Sequence, residues 1–334
     1  FMVDTGSSAT LVSAEVAQAL ARRERSGARA PVRVRGAQGG EVALESVTLR
    51  GLRLGETEFR DVPALVYDFS DLSAHLGVRV DGLLGFPLFR DRLLTLDYPR
   101  AQLVVGPLPA PAPAAPAMPG VALLAFNNEK GTPLIPVQMG NESFFVLIDS
   151  GSDAGLHLNP VGLHPRFVEP PRPGTIVSSL AGEHQQLVGR LAQNVLLGGH
   201  LVREPIVDLT DQLSSLGGEL LRHFTVTFDQ QRRVVTFART TAGPVDMAPR
   251  RSSGLALFRS PIYWRVMSVI PETPTAQIGI QPGDLIIRIN GEPVEKWNHE
   301  RYATLIASSA CVTYTFISGT QEYDVEVPVF ELVP

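Results

Sequence analysis

Phe1-Met2-Val3-Asp4-Thr5-Gly6-Ser7 opens the chain, and Val146-Leu147-Ile148-Asp149-Ser150-Gly151-Ser152 repeats its pattern: three apolar residues lead into Asp, then a hydroxyl residue, Gly and Ser. A second pair of stretches follows in the same order. Leu84-Gly85-(x)3-Phe89-Arg90-(x)4-Thr95-Leu96-Asp97 lines up with Leu216-Gly217-(x)3-Leu221-Arg222-(x)4-Thr227-Phe228-Asp229. Self-similarity at two places in the same order is the mark of a duplicated structural unit. It predicts one aspartate per unit, each at the end of an apolar strand.

Working outward from those stretches, short apolar or alternating runs recur between Gly, Pro and Asp, at Pro31 to Val34, Glu41 to Leu49, Leu93 to Leu96 and Phe224 to Phe228. These read as strands, so both units are mainly β. A single helical period is clear, over Ser13 to Arg25, with Ser13 as its N-cap. Pro133 to Val146 reads as a hairpin turning at Gly140-Asn141 that delivers Asp149. No equivalent precedes Phe1, which predicts at least one further strand upstream in the natural chain. Residues 107–120, Pro- and Ala-rich and without charge, read as a semi-rigid linker. A polar, turn-rich stretch at 240–253 marks a softer break. The expected organisation is unit one at 1–106, the linker at 107–120, unit two at 121–240 and a third unit at 250–334.

An Asp followed by a small hydroxyl residue and Gly is a carboxylate on a tight turn. Gly6 and Gly151 permit the turn, and the hydroxyls of Thr5 and Ser150 can bond across to the partner loop, with Ser7 and Ser152 completing each loop. Two such loops face to face bring Asp4 and Asp149 close enough that both cannot ionise, so the pair shares one proton. One carboxylate then acts as base and the other as acid. Together they can activate a water against a peptide carbonyl and protonate the leaving amine, without metal or cofactor.

These residues carry a resemblance. Each unit is similar to a retropepsin-like aspartic protease domain, and the pair resembles the two-lobed pepsin arrangement, mainly β with a cleft between two barrel lobes. The family's second signature, two apolar residues and Gly, is matched by Leu83-Leu84-Gly85 and in part by Ser215-Leu216-Gly217. The resemblance covers Phe1 to Val105 and Leu134 to Phe237, and it implies flaps at Arg35 to Val42, with Gly36, Gly39 and Gly40, and at Leu180 to Leu187, with Gly182. Neither holds the tyrosine of the pepsin flap. Asp153 stands in unit two where unit one has Ser8.

Composition removes other classes. With 44% hydrophobic and 19% charged residues this is a globular chain. A net charge of -5 without a basic run excludes a nucleic-acid footprint. No apolar stretch approaches the roughly 20 residues of a membrane span. One cysteine, Cys311, makes neither an intramolecular disulfide nor a cysteine-based metal site. The seven histidines lack metal-ligand spacing and read as scattered surface or core residues. Asp97 and Asp229 read as turn-formers.

From Gly254 the run GLALF, followed by YWRVMSVIPETPTAQIGIQPGDLIIRINGEPVEKW, closely resembles a bacterial PDZ domain. That resemblance implies a loop at Gly254, Leu255, Ala256 and Leu257 whose backbone holds the terminal carboxylate of a peptide, the peptide adding as a strand to the sheet edge. The expected protein is an aspartic endopeptidase acting on polypeptide substrates, with a module that binds a peptide or protein C-terminus. The alternative is a peptide-binding scaffold on an acid-protease fold. Covalent attachment of the two units favours pairing within one chain, hence a monomer. Similarity to PDZ-linked exported bacterial proteases implies the cell envelope or periplasm.

Overall fold

The apolar runs around Asp4 form strands because their side chains alternate between a packed core and an outer face. The computed structural model describes residues 1–21, 31–35, 41–110, 118–179 and 182–334. The first segment runs β1 (Met2–Asp4), β2 (Thr10–Val12), α1 (Ala14–Leu20), the hairpin β3 (Val32–Arg35) and β4 (Glu41–Leu44), then β5 (Ser46–Leu54), β6 (Thr57–Val66), α2 (Ser70–Leu76), β7 (Gly82–Gly85), β8 (Leu93–Asp97) and β9 (Gln102–Gly106). One sheet takes the order β1-β7-β2-β6-β5. Within it β1 runs parallel to β7, β7 antiparallel to β2, and β2 parallel to β6. Ser13 caps α1 as expected, its hydroxyl accepting from the Val16 N–H at 3.3 Å. The helix stops at Leu20 because Ala21 turns extended and bridges to Leu49. Residues 22–25 of the predicted helix lie outside the described residues.

The second segment runs β10 (Val121–Ala125), β11 (Leu134–Met139), β12 (Glu142–Ile148), β13 (Leu156–Leu158), β14 (Arg172–Ser179), β15 (Gly182–Arg190), β16 (Val195–Leu197), β17 (His200–Arg203), β18 (Ile206–Leu209), β19 (Ser215–Leu216), α3 (Gly218–Leu221), β20 (Thr225–Asp229), β21 (Val234–Ala238) and β22 (Val245–Asp246). The hairpin β11–β12 turns at Gly140 and Asn141, with Gly140 at φ 59°. Around Asp149 the pattern of the first segment recurs: β12 runs parallel to β19, β19 antiparallel to β13, and β13 parallel to β18. A further sheet, β10-β21-β20-β8-β9, draws strands from both segments. One apolar core serves both, with Phe86 edge-on to Phe126 and Phe228 at centroid distances of 5.8 and 5.2 Å. Burial of side chains this large supplies most of the stabilisation.

Two compact units result. The first comprises Phe1–Asp68, Asp81–Glu169 and Arg190–Met247, and the second Phe69–Val80, Pro170–Gly189 and Ala248–Pro334. The carboxyl-terminal part of the second unit runs β23 (Arg250–Ser252), β24 (Leu255–Arg259), β25 (Trp264–Val269), β26 (Leu285–Ile289), β27 (Glu292–Pro293), α4 (His299–Ser308), β28 (Cys311–Ser318), β29 (Gln321–Pro328) and β30 (Phe330–Val333). Its main sheet has the order β24-β25-β26-β28-β29 over a core of its own that includes Trp264, Tyr302, Tyr314 and Phe316. The buried phenols of Tyr302 and Tyr314 hydrogen-bond each other at 2.6 Å, so neither hydroxyl is left unsatisfied in the core.

Candidate active site

Strands β1 and β12 each end on an aspartate, and a strand-to-turn transition follows at once. Gly6 and Gly151 donate their N–H groups back to Oδ1 of Asp4 and Asp149, at 2.8 and 2.9 Å. Each carboxylate is thereby oriented by its own loop. The two glycines are obligatory for space: a Cβ on Gly6 would lie 2.6 Å from Cγ of Asp149, and one on Gly151 2.6 Å from Cγ of Asp4. Each loop therefore presses on the other's carboxyl group, and the Asp4 and Asp149 carboxyls are hydrogen-bonded to each other.

Four reciprocal bonds lock the loops together. Thr5 is fully buried, and its hydroxyl donates to the Ile148 carbonyl at 2.6 Å while accepting the Ser150 N–H at 3.0 Å. The Ser150 hydroxyl does the converse, donating to the Val3 carbonyl at 2.9 Å and accepting the Thr5 N–H at 3.0 Å. Ser7 and Ser152 face away from this exchange. The Ser7 hydroxyl donates to the Ala9 carbonyl at 2.8 Å, and that of Ser152 accepts the Ala154 N–H at 3.3 Å. Behind each loop stands the glycine of the second signature. A Cβ on Gly85 would run into the Ala9 carbonyl oxygen and one on Gly217 into that of Ala154.

Burial, followed by the charge of Asp149 and the hydrogen bond to it, pushes the Asp4 carboxyl from 3.8 up to about 8. Burial raises Asp149 as well, opposed by the Gly151 N–H and by the hydrogen bond to Asp4. Such a pair holds one proton between two oxygens over a wide pH range. It can accept a proton from a water and donate one to a leaving group in the same turnover.

Two residues that sequence reasoning did not single out bear on this pair. Burial and then the Asp149 charge push the Tyr98 phenol up to about 12, so it stays protonated. His157 sits near enough for its charge to favour ionised Asp149, and its Nδ1 lies 3.1 Å from the Ser215 hydroxyl. Asp97 and Asp229, read as turn-formers, accept the N–H groups of Arg100 and Arg232 and pair with those guanidiniums. Among the described residues no group of His, Cys, Asp and Glu is arranged to hold a metal ion, and no helix is long and apolar enough to cross a membrane.

The flap positions fare unevenly. Gly36, Gly39 and Gly40 lie outside the described residues. Gly182 begins β15 opposite Ser179 of β14, and that hairpin belongs to the second unit. In the same unit Gly254 has φ 75° and its N–H is taken by the Ser252 hydroxyl at 2.9 Å. Leu255 and Ala256 are buried in β24, an end strand of its sheet, with a bulge between Ala256 and Leu257.

Residues 1–88 match the family model described as an aspartyl protease, and residues 265–313 match that of a PDZ domain. No curated protein matches the chain in sequence. Among solved structures, a PDZ domain protein from Parabacteroides distasonis is similar at 22% identity with a TM-score of 0.23, over 25% of this chain and 21% of that one. The chain is thus a mainly β protein with an acid protease domain matched at residues 1–88 and a carboxyl-terminal PDZ domain matched at residues 265–313.

Proposed function

We propose that the protein is an aspartic endopeptidase whose two retropepsin-like lobes, residues 1–106 and 121–240, arose by tandem duplication and contribute Asp4 and Asp149 to one centre. The observation that carries this reading is the contact of the two carboxyls within a loop exchange in which Thr5 and Ser150 play mirrored parts. One carboxylate, ionised, takes a proton from a water held between the pair. The water oxygen bonds to the scissile carbonyl carbon, and the protonated carboxyl donates to the carbonyl oxygen. The tetrahedral intermediate collapses as its C–N bond breaks, the amine nitrogen takes the proton held by the dyad, and one hydroxyl of the intermediate gives its proton back to the dyad as the C=O bond re-forms.

The PDZ module binds the carboxylate end of a peptide by strand addition at β24, and pairing of lobes within one chain makes the working form a monomer. An exported, bacterial cell-envelope setting fits a protease joined to such a module.

The test is cleavage of an unfolded protein substrate by the full chain beside Asp4→Asn and Asp149→Asn. Loss of cleavage in both variants supports the shared centre, and cleavage surviving either substitution overturns it. For the PDZ module, a peptide with a free terminal carboxylate should bind and its amidated twin should not.

A further inference from the structure

Strand addition needs a strand edge with no partner and a groove beside it. Among the described residues β24 pairs with β25 alone, so its other edge carries no strand. Helix α4 flanks β24 along its length. At the Gly254 end the Ser253 hydroxyl lies 3.3 Å from that of Tyr302, and at the far end the Arg259 guanidinium donates to His299 Nδ1 at 2.8 Å. A peptide whose carboxylate sits at Gly254 therefore runs along β24 toward the Arg259–His299 end. Strand β24 has five residues, which is room for about five residues of peptide.

That far end is not clear. Phe69–Val80 groups with the carboxyl-terminal unit, and its helix α2 packs against β24. Helix α2 closes on Gly77, whose φ of 69° lets its N–H bond back to the Ser73 and Ala74 carbonyls. Gly77 in turn lies against the start of α4. A Cβ there would stand 3.2 Å from both Cα and Cβ of Asn298, the residue that caps α4 and immediately precedes His299. The Ser73 hydroxyl accepts the Val80 N–H at 3.0 Å, and Phe69 and Val80, at the two ends of the segment, are buried. One short segment thus touches β24 and the start of α4 together.

We infer that α2 is a length gate on the peptide site. With α2 in place the groove takes short free peptides of about five residues, and the end of a long polypeptide binds only when α2 swings off β24. The inference rests on strand addition at β24 and adds the class of ligand to it. Apparent affinity for a long chain is reduced by the fraction of molecules in which α2 is displaced, whereas a short peptide escapes that penalty.

The probes are a five-residue peptide with a free carboxylate, selected for binding to the full chain, and the same sequence extended by ten polar residues at its amino end. Gly77→Cys/Asn298→Cys, in a Cys311→Ser background, locks α2 to α4 on oxidation, because the two Cβ positions are close to disulfide spacing. Gly77→Val frees α2 by forcing a branched side chain, at positive φ, against Asn298. The oxidised protein should bind the short peptide as the reduced protein does and the long one at least about tenfold more weakly. Gly77→Val should bind the long peptide at least about tenfold tighter than the wild-type protein does. Equal binding of the long peptide by oxidised and reduced protein, or no gain in folded Gly77→Val, overturns this inference alone. Failure of the wild-type protein and every variant to bind any peptide with a free carboxylate overturns strand addition at β24 and this inference with it.

Discussion

Thr95 of β8 and Thr227 of β20 stand directly opposite each other in an antiparallel ladder, their hydroxyl oxygens 3.0 Å apart. They occupy matching places in the two similar stretches of sequence, and the flanking pairs are arranged about them, with Asp97 opposite Thr225 and Asp229 opposite Leu93. A local two-fold axis therefore passes between the two threonines. Replacing one by valine leaves the other hydroxyl without its bond, and Thr95→Val or Thr227→Val should each cost about 1 kcal/mol in denaturant unfolding. The double variant should cost less than the sum of the two.

The exchange at the dyad is stricter, because Thr5 is fully buried and both donates and accepts. Thr5→Ala should lower stability by roughly 2 kcal/mol and reduce kcat/KM, while Thr5→Ser retains the hydroxyl and most of both. Thermal unfolding and peptide hydrolysis on the same preparations check this.

Space at the turn glycines makes a sharper prediction. Gly6→Ala and Gly151→Ala each force a methyl toward the opposite carboxyl, and an ångström of displacement at reacting groups costs on the order of 100-fold in rate. Both variants should lose kcat/KM by at least about that factor while far-ultraviolet circular dichroism stays unchanged.

The raised carboxyl of Asp4 links stability and activity to pH. Folded Asp4 releases its proton near pH 8, against 3.8 as its ordinary value. Between those values the folded state holds more protons than the unfolded one, so this group's contribution to stability falls as pH rises through the window. Asp4→Asn removes the dependence. Its stability relative to the wild-type protein should improve between pH 4 and pH 8 by on the order of a few kcal/mol, measured by denaturant unfolding. Peptide hydrolysis by the wild-type protein should fall away above about pH 8, where the shared proton is lost.

Much of this centre was readable from residue order, because the features that build it are local. Apolar residues, Asp, a hydroxyl residue and Gly specify a strand, a charge and a turn within one short stretch, and the turn at Gly140-Asn141 and the cap at Ser13 are equally local. The placement of His157 beside Ser215 and near Asp149 was not readable. It is made by register between strands, and β13 starts one residue further from Asp149 than β2 does from Asp4. Tyr98 was missed for the same reason, since its relation to Asp149 is made by the fold. The end of α1 at Leu20 depended on a bridge from Ala21 to Leu49 that helical periodicity does not encode. Phe69–Val80 and Pro170–Gly189 carry no local sign that they group with the carboxyl-terminal unit.

The ladder between β8 and β20 has a consequence for assembly. Its hydrogen bonds are made by backbone groups, and its register is centred on a pair of like residues. A first segment expressed alone would expose the edge of β8, whose register would let Thr95 of one copy stand opposite Thr95 of another. Within the intact chain that edge is already occupied by β20. The second segment thereby supplies an aspartate and also caps a strand that would otherwise recruit its own kind.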